Sequence, residues 1–462
     1  MRPEVHHLGS TRSRLADLAE TLARQDHTRY EGRIVAVKGL MVEASGPPQA
    51  MALGARATVE AAEGPARLEI VGYRDGRALL MPFETVEGLR AGARLVFEGT
   101  SPMISPSQSW LGRVVDAFGN PVDGGPPVAD GSHPRLLRGI PPPAHTRVRV
   151  GGRMETGLRA LDAFCALCAG QRMGIFAGSG VGKSVLMSQL AKGAAADVVV
   201  IGLIGERGRE VKEFIEDTLG VEGLRRSVVV VATSDESSLK RRQAAYTTLA
   251  VAEHFRDQGL QVLCLFDSVT RFAMAQREIG LATGEPPTTK GYTPTVFAEL
   301  PKLLERAGPG APLANGIAGS ITGLFTVLVD GGDHDEPVAD AVRGILDGHL
   351  VLERAIAERG RFPALNILKS VSRLMPECHS PEEQVLVKEA KRALAAYSDM
   401  EELIRLGAYR RGADPATDRA IELAEPLEAF LTQAKNERTT FEETFERLNE
   451  IIHGSEGSNL EA

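Results

Sequence analysis

Cysteine, aromatic residues and long apolar runs are all scarce in this sequence. Four of the 462 residues are cysteine, one is tryptophan and 5% are aromatic, so a disulfide framework like that of small secreted proteins is not expected. No apolar run reaches the ~20 residues that a membrane-spanning helix needs, and the N-terminus lacks the apolar segment of a signal peptide. We therefore expect a cytosolic protein.

Positive charge is also in deficit. The formal net charge is -8, whereas a protein that binds nucleic acid non-specifically needs a basic surface to neutralise phosphates. The composition therefore argues against nucleic acid as the main partner. Shares of 43% hydrophobic and 25% charged residues are ordinary for a globular chain, and 462 residues suffice for two or three domains.

Two cysteines have the Cys-x-x-Cys spacing of some zinc and redox sites. They are Cys165 and Cys168, and no second pair accompanies them. The surrounding run, residues 161–168, is typical of an apolar helix face. We therefore interpret both residues as small buried thiols.

The N-terminal segment, residues 1–26, is predicted to contain a helix. Apolar residues recur at helical spacing between residues 10 and 24, namely Leu15, Leu18, Ala19 and Leu22. Such a helix could pack on its own domain, or it could dock on a partner or a membrane surface. The sequence leaves both alternatives open.

The rest of the chain predicts an α/β protein with a small N-terminal β-barrel, a central mainly parallel sheet and a C-terminal helical domain. Residues 27–100 hold short β-type runs between turns, as in an antiparallel barrel. A Gly/Pro-rich connector, residues 101–145, follows. Residues 146–375 alternate helical stretches with continuously apolar β-type runs, which indicates a mainly parallel sheet covered by helices. Residues 376–462 are predicted to be helical.

A phosphate-binding loop is predicted at residues 177–184. It follows a β-type run and opens a helix, which is the context that gives this motif its meaning. Backbone N–H groups of such a loop turn inward around an anion, and the helix N-terminus adds partial positive charge. The predicted nucleotide-binding residues are Gly178, Ser179, Gly180, Val181, Gly182, Lys183 and Ser184.

Within this loop, Lys183 is predicted to reach the β- and γ-phosphates of ATP, and Ser184 to ligate Mg²⁺. The first position of the motif is Ala177 instead of the usual glycine. Alanine is small, so the loop can still close. The central domain is therefore predicted to be a P-loop (RecA-like) domain with ATP and Mg²⁺ as cofactors.

Two carboxylates at predicted strand ends are candidates for the chemistry. Asp267 ends the apolar run 263–266, at the edge where ligands bind in open α/β sheets, and is predicted to hold Mg²⁺ from the outer shell. It could also cap the following helix, and the two roles are compatible. Glu206 is a candidate for orienting the attacking water, although Glu210 and Glu213 lie close by, so spacing alone does not single it out.

Together these residues resemble the rotary-type hexameric ATPases, and most closely the flagellar and type III secretion export ATPases. The resemblance runs from about Tyr30 to the C-terminal helices. It rests on the segments 111–116 (LGRVVD), 174–184 (GIFAGSGVGKS), 205–211 (GERGREV), 266–272 (FDSVTRF), 335–340 (DEPVAD), 345–349 (ILDGH) and 370–373 (SVSR). Ala177 is itself similar to the export branch.

The resemblance implies a working catalytic site. Glu206 matches the catalytic glutamate of the β-type subunit of ATP synthase, whereas the non-catalytic subunits have glutamine at that position. The implied catalytic set also contains Lys183, Asp267 and Arg207, which follows Glu206 in the shared segment.

Two further matches concern the rim of the site. Arg373 matches the arginine that reaches the γ-phosphate bound by the neighbouring subunit, where such a group neutralises charge on the transferring phosphoryl group. Phe362 matches an aromatic residue that packs against adenine, although an ordinary core phenylalanine would fit the spacing equally. An arginine acting across an interface implies a homohexameric ring.

The implied function is Mg-dependent ATP hydrolysis that drives protein export. The amino-acid sequence of the middle and C-terminal segments favours the flagellar apparatus. A virulence injectisome ATPase and the catalytic subunit of a rotary ATP synthase are the alternatives. A hexameric RNA translocase is disfavoured because the N-terminal region lacks a dense basic and aromatic cluster.

The resemblance also implies partners and a location. The partners are a regulatory stator-like dimer at the N-terminal helix, a coiled-coil stalk in the central hole, export-gate membrane proteins and substrate–chaperone complexes, with no nucleic acid. The implied location is the cytoplasm, in peripheral association with the inner membrane.

Overall fold

A computed structural model describes residues 29–62, 64–84, 87–99, 102–329 and 336–454. The chain divides into two compact units. One holds the β-barrel, and the other holds the larger, mainly parallel sheet and the C-terminal helices. The predicted N-terminal helix lies outside the described residues.

The first unit is a closed β-barrel, as the sequence predicts. In the part of this unit that is described, its strands are β1 (Tyr30–Lys38), β2 (Met41–Ser45), β3 (Arg56–Ala61), β4 (Gly64–Arg74), β5 (Arg77–Pro82) and β6 (Arg94–Gly99). They pair antiparallel in the order β1-β2-β5-β4-β3-β6, and β6 closes on β1. Ala57 and Val59 of β3 are buried while Thr58 and Glu60 are not, so the alternation of apolar residues fills the barrel interior.

The second unit is built on a twisted, mainly parallel sheet of nine strands within residues 102–329 and 336–454. The strands of this unit, in chain order, are β7 (Met103–Ile104), β8 (Arg113–Val115), β9 (Arg135–Leu136), β10 (Arg153–Met154), β11 (Leu167–Cys168), β12 (Arg172–Ala177), β13 (Val198–Ile204), β14 (Ser227–Ala232), β15 (Gln261–Asp267), β16 (Gly308–Pro309), β17 (Ser320–Leu328), β18 (Gly348–Leu352) and β19 (Val371–Ser372).

The strand order of this sheet is β19-β18-β12-β17-β15-β13-β14-β8, with β16 beside β17. Its pairings are parallel except those of β16 with β17 and β18 with β19. The short strands β7 and β9 pair with each other, as do β10 and β11, and both pairs are antiparallel.

Helices cover the sheet and form the C-terminal part. In the described residues they are α1 (Arg159–Phe164), α2 (Lys183–Gly193), α3 (Gly208–Glu213), α4 (Gly220–Arg225), α5 (Ser238–Arg256), α6 (Val269–Thr283), α7 (Pro294–Leu304), α8 (Pro337–Ile345), α9 (Arg354–Glu358), α10 (Pro381–Arg405), α11 (Pro415–Leu431) and α12 (Phe441–His453). A π-helical segment, Phe214–Leu219, joins α3 to α4.

The continuous apolar runs form the central strands because both faces of the sheet are covered. All seven residues of β13 are buried. Alternate residues of this strand enter different hydrophobic clusters: Val199, Ile201 and Leu203 pack on one side, and Val198, Val200 and Ile204 on the other. This arrangement is expected of a parallel strand between two helical layers.

The C-terminal helices begin at capping residues that are visible in the sequence. Ser380 and Glu383 form a capping box at the start of α10, and Thr440 and Glu443 form another at α12. Asp414 accepts hydrogen bonds from the first turn of α11. The prediction of a helical C-terminal part is confirmed.

One strand of the sheet lies in the predicted connector, residues 101–145. Residues Arg113–Val115 form β8, which pairs in parallel with β14 at the edge of the sheet. Three residues are too few for a periodic signal, so only the tertiary pairing reveals this strand.

The prediction of a helix face at residues 161–168 is wrong. Helix α1 ends at Phe164, Cys165 adopts φ -144° and ψ 44°, and Cys168 belongs to β11. The short apolar run carries no signal that separates a buried helix from a buried strand. Both cysteines are buried free thiols, as predicted.

Candidate nucleotide site

The P-loop joins β12 to α2 through two glycines in the left-handed region. Gly180 has φ +76° and Gly182 has φ +86°, and this region costs other residues about 1–2 kcal/mol. Ala177 is the buried last residue of β12, so the departure from the motif falls inside the strand. Lys183 starts α2, whose N-terminus therefore opens directly on the loop and favours an anion there.

Lys183 lies between the two candidate carboxylates. Its Nζ donates to Asp267 Oδ1 at 2.6 Å and to Glu206 Oε1 at 3.2 Å. Thr326 of β17 also donates to Asp267 Oδ1, at 2.6 Å. The structure therefore brings three predicted site residues together at one point.

Strand register explains why residues so far apart in the chain meet. Asp267 is the last residue of β15 and lies opposite Leu203 in the parallel pairing with β13. Glu206 follows β13 by two residues, after a turn at Gly205, where φ is +73°. Parallel strands place their carboxyl ends at the same edge of a sheet, and the P-loop leaves β12 at that edge.

The cluster shifts the protonation equilibria of two of its members. Burial alone would lower the pKa of Lys183, but the carboxylates of Asp267 and Glu206 outweigh it and raise that pKa. Burial, together with the charge of Asp267, raises the pKa of Glu206 against the opposing effect of Lys183. A carboxylate with a raised pKa is a stronger base and is suited to accepting a proton from water.

A cavity of about 550 Å³ opens beside this cluster. Its volume lies in the range of sites that bind small molecules. It is lined by the P-loop, by the segment that follows β13 and by the end of β15, including Gly178, Ser179, Gly180, Gly182, Lys183, Ser184, Glu206, Arg207, Glu210, Glu213, Asp267 and Arg271. The cavity therefore places the P-loop and the carboxylates around one space.

The structure distinguishes the three glutamates that spacing alone left undecided. Glu206 contacts Lys183, whereas Glu213 accepts a hydrogen bond from Arg209 at 2.6 Å and Glu210 pairs with Arg207 at 3.5 Å. Of the three, Glu206 is the one in the buried cluster, so the geometry favours it as the group that would orient water.

The residues present fit a magnesium ion held largely by a nucleotide. No group of three or more His, Cys, Asp or Glu side chains within the described ranges could hold a metal. Ser184 is exposed in the first turn of α2, and Asp267 lies across the cavity. One hydroxyl and one carboxylate suit Mg²⁺, which keeps several waters and takes oxygens from substrate phosphates.

Two other predicted residues lie at the rim. The side chain of Arg207 is 81% exposed and pairs only weakly, at 3.5 Å, with Glu210. Phe362 is 43% exposed, and its ring lies so close to the P-loop that a Cβ placed on Gly182 would be 3.3 Å from it. The exposed ring is not a core phenylalanine, and it is placed where a base could stack.

Arg373 is not brought to the cavity of its own chain. It follows β19 at the outer edge of the sheet, its backbone N–H donates to Asp347 O at 3.0 Å, and its side chain is exposed. The backbone N–H of Asp347 in turn donates to Arg172 O at the start of β12. Ala177, which precedes the P-loop, lies five positions further along β12, about 17 Å from that end.

Sequence reasoning missed two arginines near the loop. Arg271, in the first turn of α6, lines the cavity, and its Nε is buried without a hydrogen-bond partner among the described residues. Arg354 donates from Nη2 to Ser179 O at 3.1 Å. Arg271 belongs to the segment 266–272 that carries the family resemblance, so its position there was the available signal.

Across the part of the chain that the structure describes, no helix combines the length and the apolar character needed to cross a bilayer.

Known protein families match most of the second unit. Residues 157–372 match the ATP synthase alpha/beta family, nucleotide-binding domain, and residues 379–450 match the T3SS EscN ATPase C-terminal domain. The first range contains the P-loop, Glu206, Asp267 and Phe362 and ends one residue before Arg373, so the cavity residues fall inside the family's nucleotide-binding domain.

Individual relatives extend the similarity to nearly the whole chain. The chain is 60% identical over 440 residues to the flagellum-specific ATP synthase of Caulobacter vibrioides, covering 95% of this chain and 99% of that protein. Two solved structures of the assembled ATPase EscN from the type III secretion system of enteropathogenic E. coli are also similar. One has a TM-score of 0.83 at 39% identity, and the other, in complex with its central stalk EscO, has 0.82 at 40%; each covers 91% of this chain and 100% of that chain.

Proposed function

Because the chain belongs to the ATP synthase alpha/beta family, in the branch of the flagellum-specific ATP synthases and type III secretion ATPases, it is an ATP hydrolase, and we propose that it uses the cavity beside Lys183 to power flagellar protein export. The observation that carries the site assignment is the contact of Lys183 with both Asp267 and Glu206 at the mouth of the P-loop.

The residues of the cavity have separate roles in this proposal. The backbone N–H groups of the P-loop bind the phosphates, and Lys183 turns from its carboxylate partners to the β- and γ-phosphates. Ser184 and Asp267 hold the magnesium ion, which when bound offsets negative charge on the phosphate oxygens. Glu206 orients the attacking water and accepts its proton, since its raised pKa makes it a stronger base than an ordinary glutamate.

The rim residues complete the nucleotide site. Phe362 packs against adenine, because its exposed ring adjoins Gly182 at the start of α2. Arg207 and Arg271 supply positive charge at the phosphate end of the cavity. The unpartnered Nε of Arg271 supports this role, because a buried guanidinium donor without a partner is costly unless a ligand accepts from it.

Arg373 acts in a neighbouring copy of the chain. Its place at the outer edge of the sheet, away from its own P-loop, supports a site shared between two copies. In a homohexameric ring every copy has a neighbour that can supply this arginine. The ATPase EscN, a relative of this chain, has been solved in an assembled form. A central coiled-coil stalk is a natural partner for such a ring, as EscO is for EscN.

The remaining partners and the location follow from the export function. We propose that the N-terminal helix takes a regulatory stator-like dimer, and that the ring works with export-gate membrane proteins and substrate–chaperone complexes. This function requires a cytoplasmic protein in peripheral association with the inner membrane. The flagellar branch is favoured over the injectisome because identity is 60% to a flagellar relative and 44% to a type 3 secretion system ATPase.

A complementation experiment tests the export function. A flagellated strain that lacks its own chain should keep its basal membrane structure and lose its filaments, and expression of this chain should restore them. The Glu206→Gln variant, expressed to the same level, should not. Filaments restored by that variant would separate export from hydrolysis, and rescue of an injectisome-deficient strain alone would move the chain to the other branch.

A further inference from the structure

Two cysteines that are distant in sequence lie side by side in the second unit. Cys168, in β11, lies close enough to Cys378, in the turn that precedes α10, for the two thiols to interact. Cys168 is 2% exposed, whereas Cys378 is half-buried and so open to small reagents. The two thiols are free. The reactive neighbour of Cys168 is therefore Cys378 and not Cys165, with which it shares the Cys-x-x-Cys spacing.

The surroundings favour a thiolate on Cys378. The neighbouring Cys168 thiol lowers the pKa of Cys378 despite its burial, and the guanidinium of Arg153 acts in the same direction. Arg153 lies opposite Cys168 in the pairing of β10 with β11, and it is fixed by two hydrogen bonds to Glu383, at 2.9 and 3.1 Å. A thiolate is the nucleophilic form of cysteine, and a nearby cation stabilises it.

The other two cysteines lack this environment. Burial raises the pKa of Cys165 to about 11 and that of Cys264 to about 12. Both are fully buried. They therefore serve as internal controls for any reaction at Cys378.

We propose that Cys168 and Cys378 are a redox-sensitive thiol pair, which closes to a reversible disulfide when the protein meets a hydroperoxide and thereby slows ATP turnover. This goes beyond the proposed function, which uses neither residue.

The chemistry takes two balanced steps. The Cys378 thiolate attacks one oxygen of hydrogen peroxide, the O–O bond breaks, and hydroxide leaves, so that Cys378 becomes a sulfenic acid. The Cys168 sulfur then attacks the Cys378 sulfur, the S–O bond breaks, and the hydroxyl group leaves with the Cys168 proton as water. Two electrons pass from the two thiols to the peroxide. A dithiol such as dithiothreitol reduces the Cys168–Cys378 disulfide by thiol–disulfide exchange.

The position of the Cys168–Cys378 disulfide determines which parts of the protein it would hold together. Cys378 lies five residues after Arg373 and three before the start of α10 at Pro381. A disulfide to β11 would tie this turn to the base of the P-loop domain. Since the turn connects the edge strand β19 to the C-terminal helices, the bond would restrict any movement of Arg373 and α10 during the hydrolytic cycle.

Mass spectrometry of the full-length protein tests the bond itself. The protein is treated with hydrogen peroxide, and its remaining thiols are alkylated in denaturant. We expect two of the four cysteines to be protected together, a linked pair of peptides containing Cys168 and Cys378, and full alkylation after dithiothreitol. Cys378→Ser should abolish the linkage, Cys168→Ser should leave Cys378 as a sulfenic acid that dimedone traps, and Cys264→Ser should keep the linkage.

Turnover of the oxidised protein tests the consequence. We expect the ATPase rate to fall by at least about threefold, to recover with dithiothreitol, and not to fall in Cys378→Ser. A link between Cys165 and Cys168, a Cys378 bond between two chains, or overoxidised Cys378 without a bond would overturn the pairing. A complete bond with an unchanged rate would overturn the regulatory part. The mass measurement does not depend on hydrolysis, so its outcome is separate from the fate of the proposed function.

Discussion

The ammonium of Lys183 lies 2.6 Å from Oδ1 of Asp267, and both residues line the cavity. The side chains are 13% and 5% exposed, and removing one partner of a buried charge pair costs about 3–5 kcal/mol. Lys183 therefore joins the P-loop to β15 as well as facing the phosphate space. Because substitution of Lys183 would disturb folding and binding together, substitutions elsewhere in the cavity give cleaner tests of mechanism.

Glu206→Gln should bind ATP with an affinity close to that of the original chain and hydrolyse it about 10²–10⁴ times more slowly. The amide keeps the size of the side chain but cannot accept a proton from water. Fluorescent-nucleotide titration measures binding, and phosphate release measures turnover. Glu213→Gln is the matched control, because Glu213 pairs with Arg209 at the rim. Equal losses in the two variants would remove the special role of Glu206.

The same variant should change how stability depends on pH. Since burial raises the pKa of Glu206 above its ordinary value of 4.5, the folded chain holds this proton more tightly than the unfolded chain. Stability from this group is therefore present below about pH 4.5 and is lost as the pH rises through the folded-state pKa. Glu206→Gln should be more stable than the original chain at pH 8, where the ionised carboxylate is disfavoured in the folded chain, and the difference should shrink at pH 5. Thermal unfolding at both pH values measures this, and an unchanged difference would contradict it.

Sequence patterns predicted the fold where local signals are strong. The continuous apolar run of β13 and the capping residue Ser380 each determine an element nearly alone, because burial on both faces and a satisfied helix N-terminus leave few alternatives. Strand β8 and the end of α1 at Phe164 were missed, since a three-residue strand and a short buried helix depend on tertiary pairing.

In the candidate site too, some features were predicted from local sequence and others depend on tertiary structure. The P-loop was predicted from the sequence because its glycines and Lys183 lie within one short segment. Spacing alone did not choose Glu206 over its neighbours. The family resemblance did, and strand register, which brings the end of β13 to that of β15, gives the physical reason. The unpartnered Nε of Arg271 is a property of packing that no spacing encodes.

Gly180→Ala should destabilise the P-loop, whereas Gly178→Ala should not. Gly180 has φ +76° with open space around it, so the cost is conformational and amounts to about 1–2 kcal/mol. Gly178 lacks a positive φ, and a Cβ there would meet Val329 O at an ordinary 3.7 Å. Chemical denaturation and ATP binding should show a loss for the first variant and little change for the second. The reverse order would contradict the backbone conformation of the loop.

Arg271→Met should weaken ATP binding by about tenfold or more, because a charge-assisted hydrogen bond is worth about 1.5–3 kcal/mol. Methionine keeps much of the volume of the side chain without its charge, so the packing against Gly205 is retained. Arg209→Met is the control, since that side chain is 86% exposed and pairs with Glu213 outside the cluster. Calorimetric titration with ATP and with adenosine separates phosphate recognition from base stacking. A loss of adenosine binding would show that Arg271 does not act on the phosphates.

Arg373→Ala should keep ATP binding and abolish the turnover that depends on assembly, with a loss of about 10³–10⁵ in rate. The arginine lies at the outer edge of the sheet, so only a neighbouring copy can use it. Arg359→Ala removes another exposed arginine, paired with Glu401, and should retain turnover. Mixing Arg373→Ala with Glu206→Gln chains is the decisive measurement, because a mixed ring contains interfaces in which one chain supplies Glu206 and its neighbour supplies Arg373. Those interfaces should hydrolyse ATP although each variant alone does not, whereas an arginine that acts within its own chain would leave every mixture inactive.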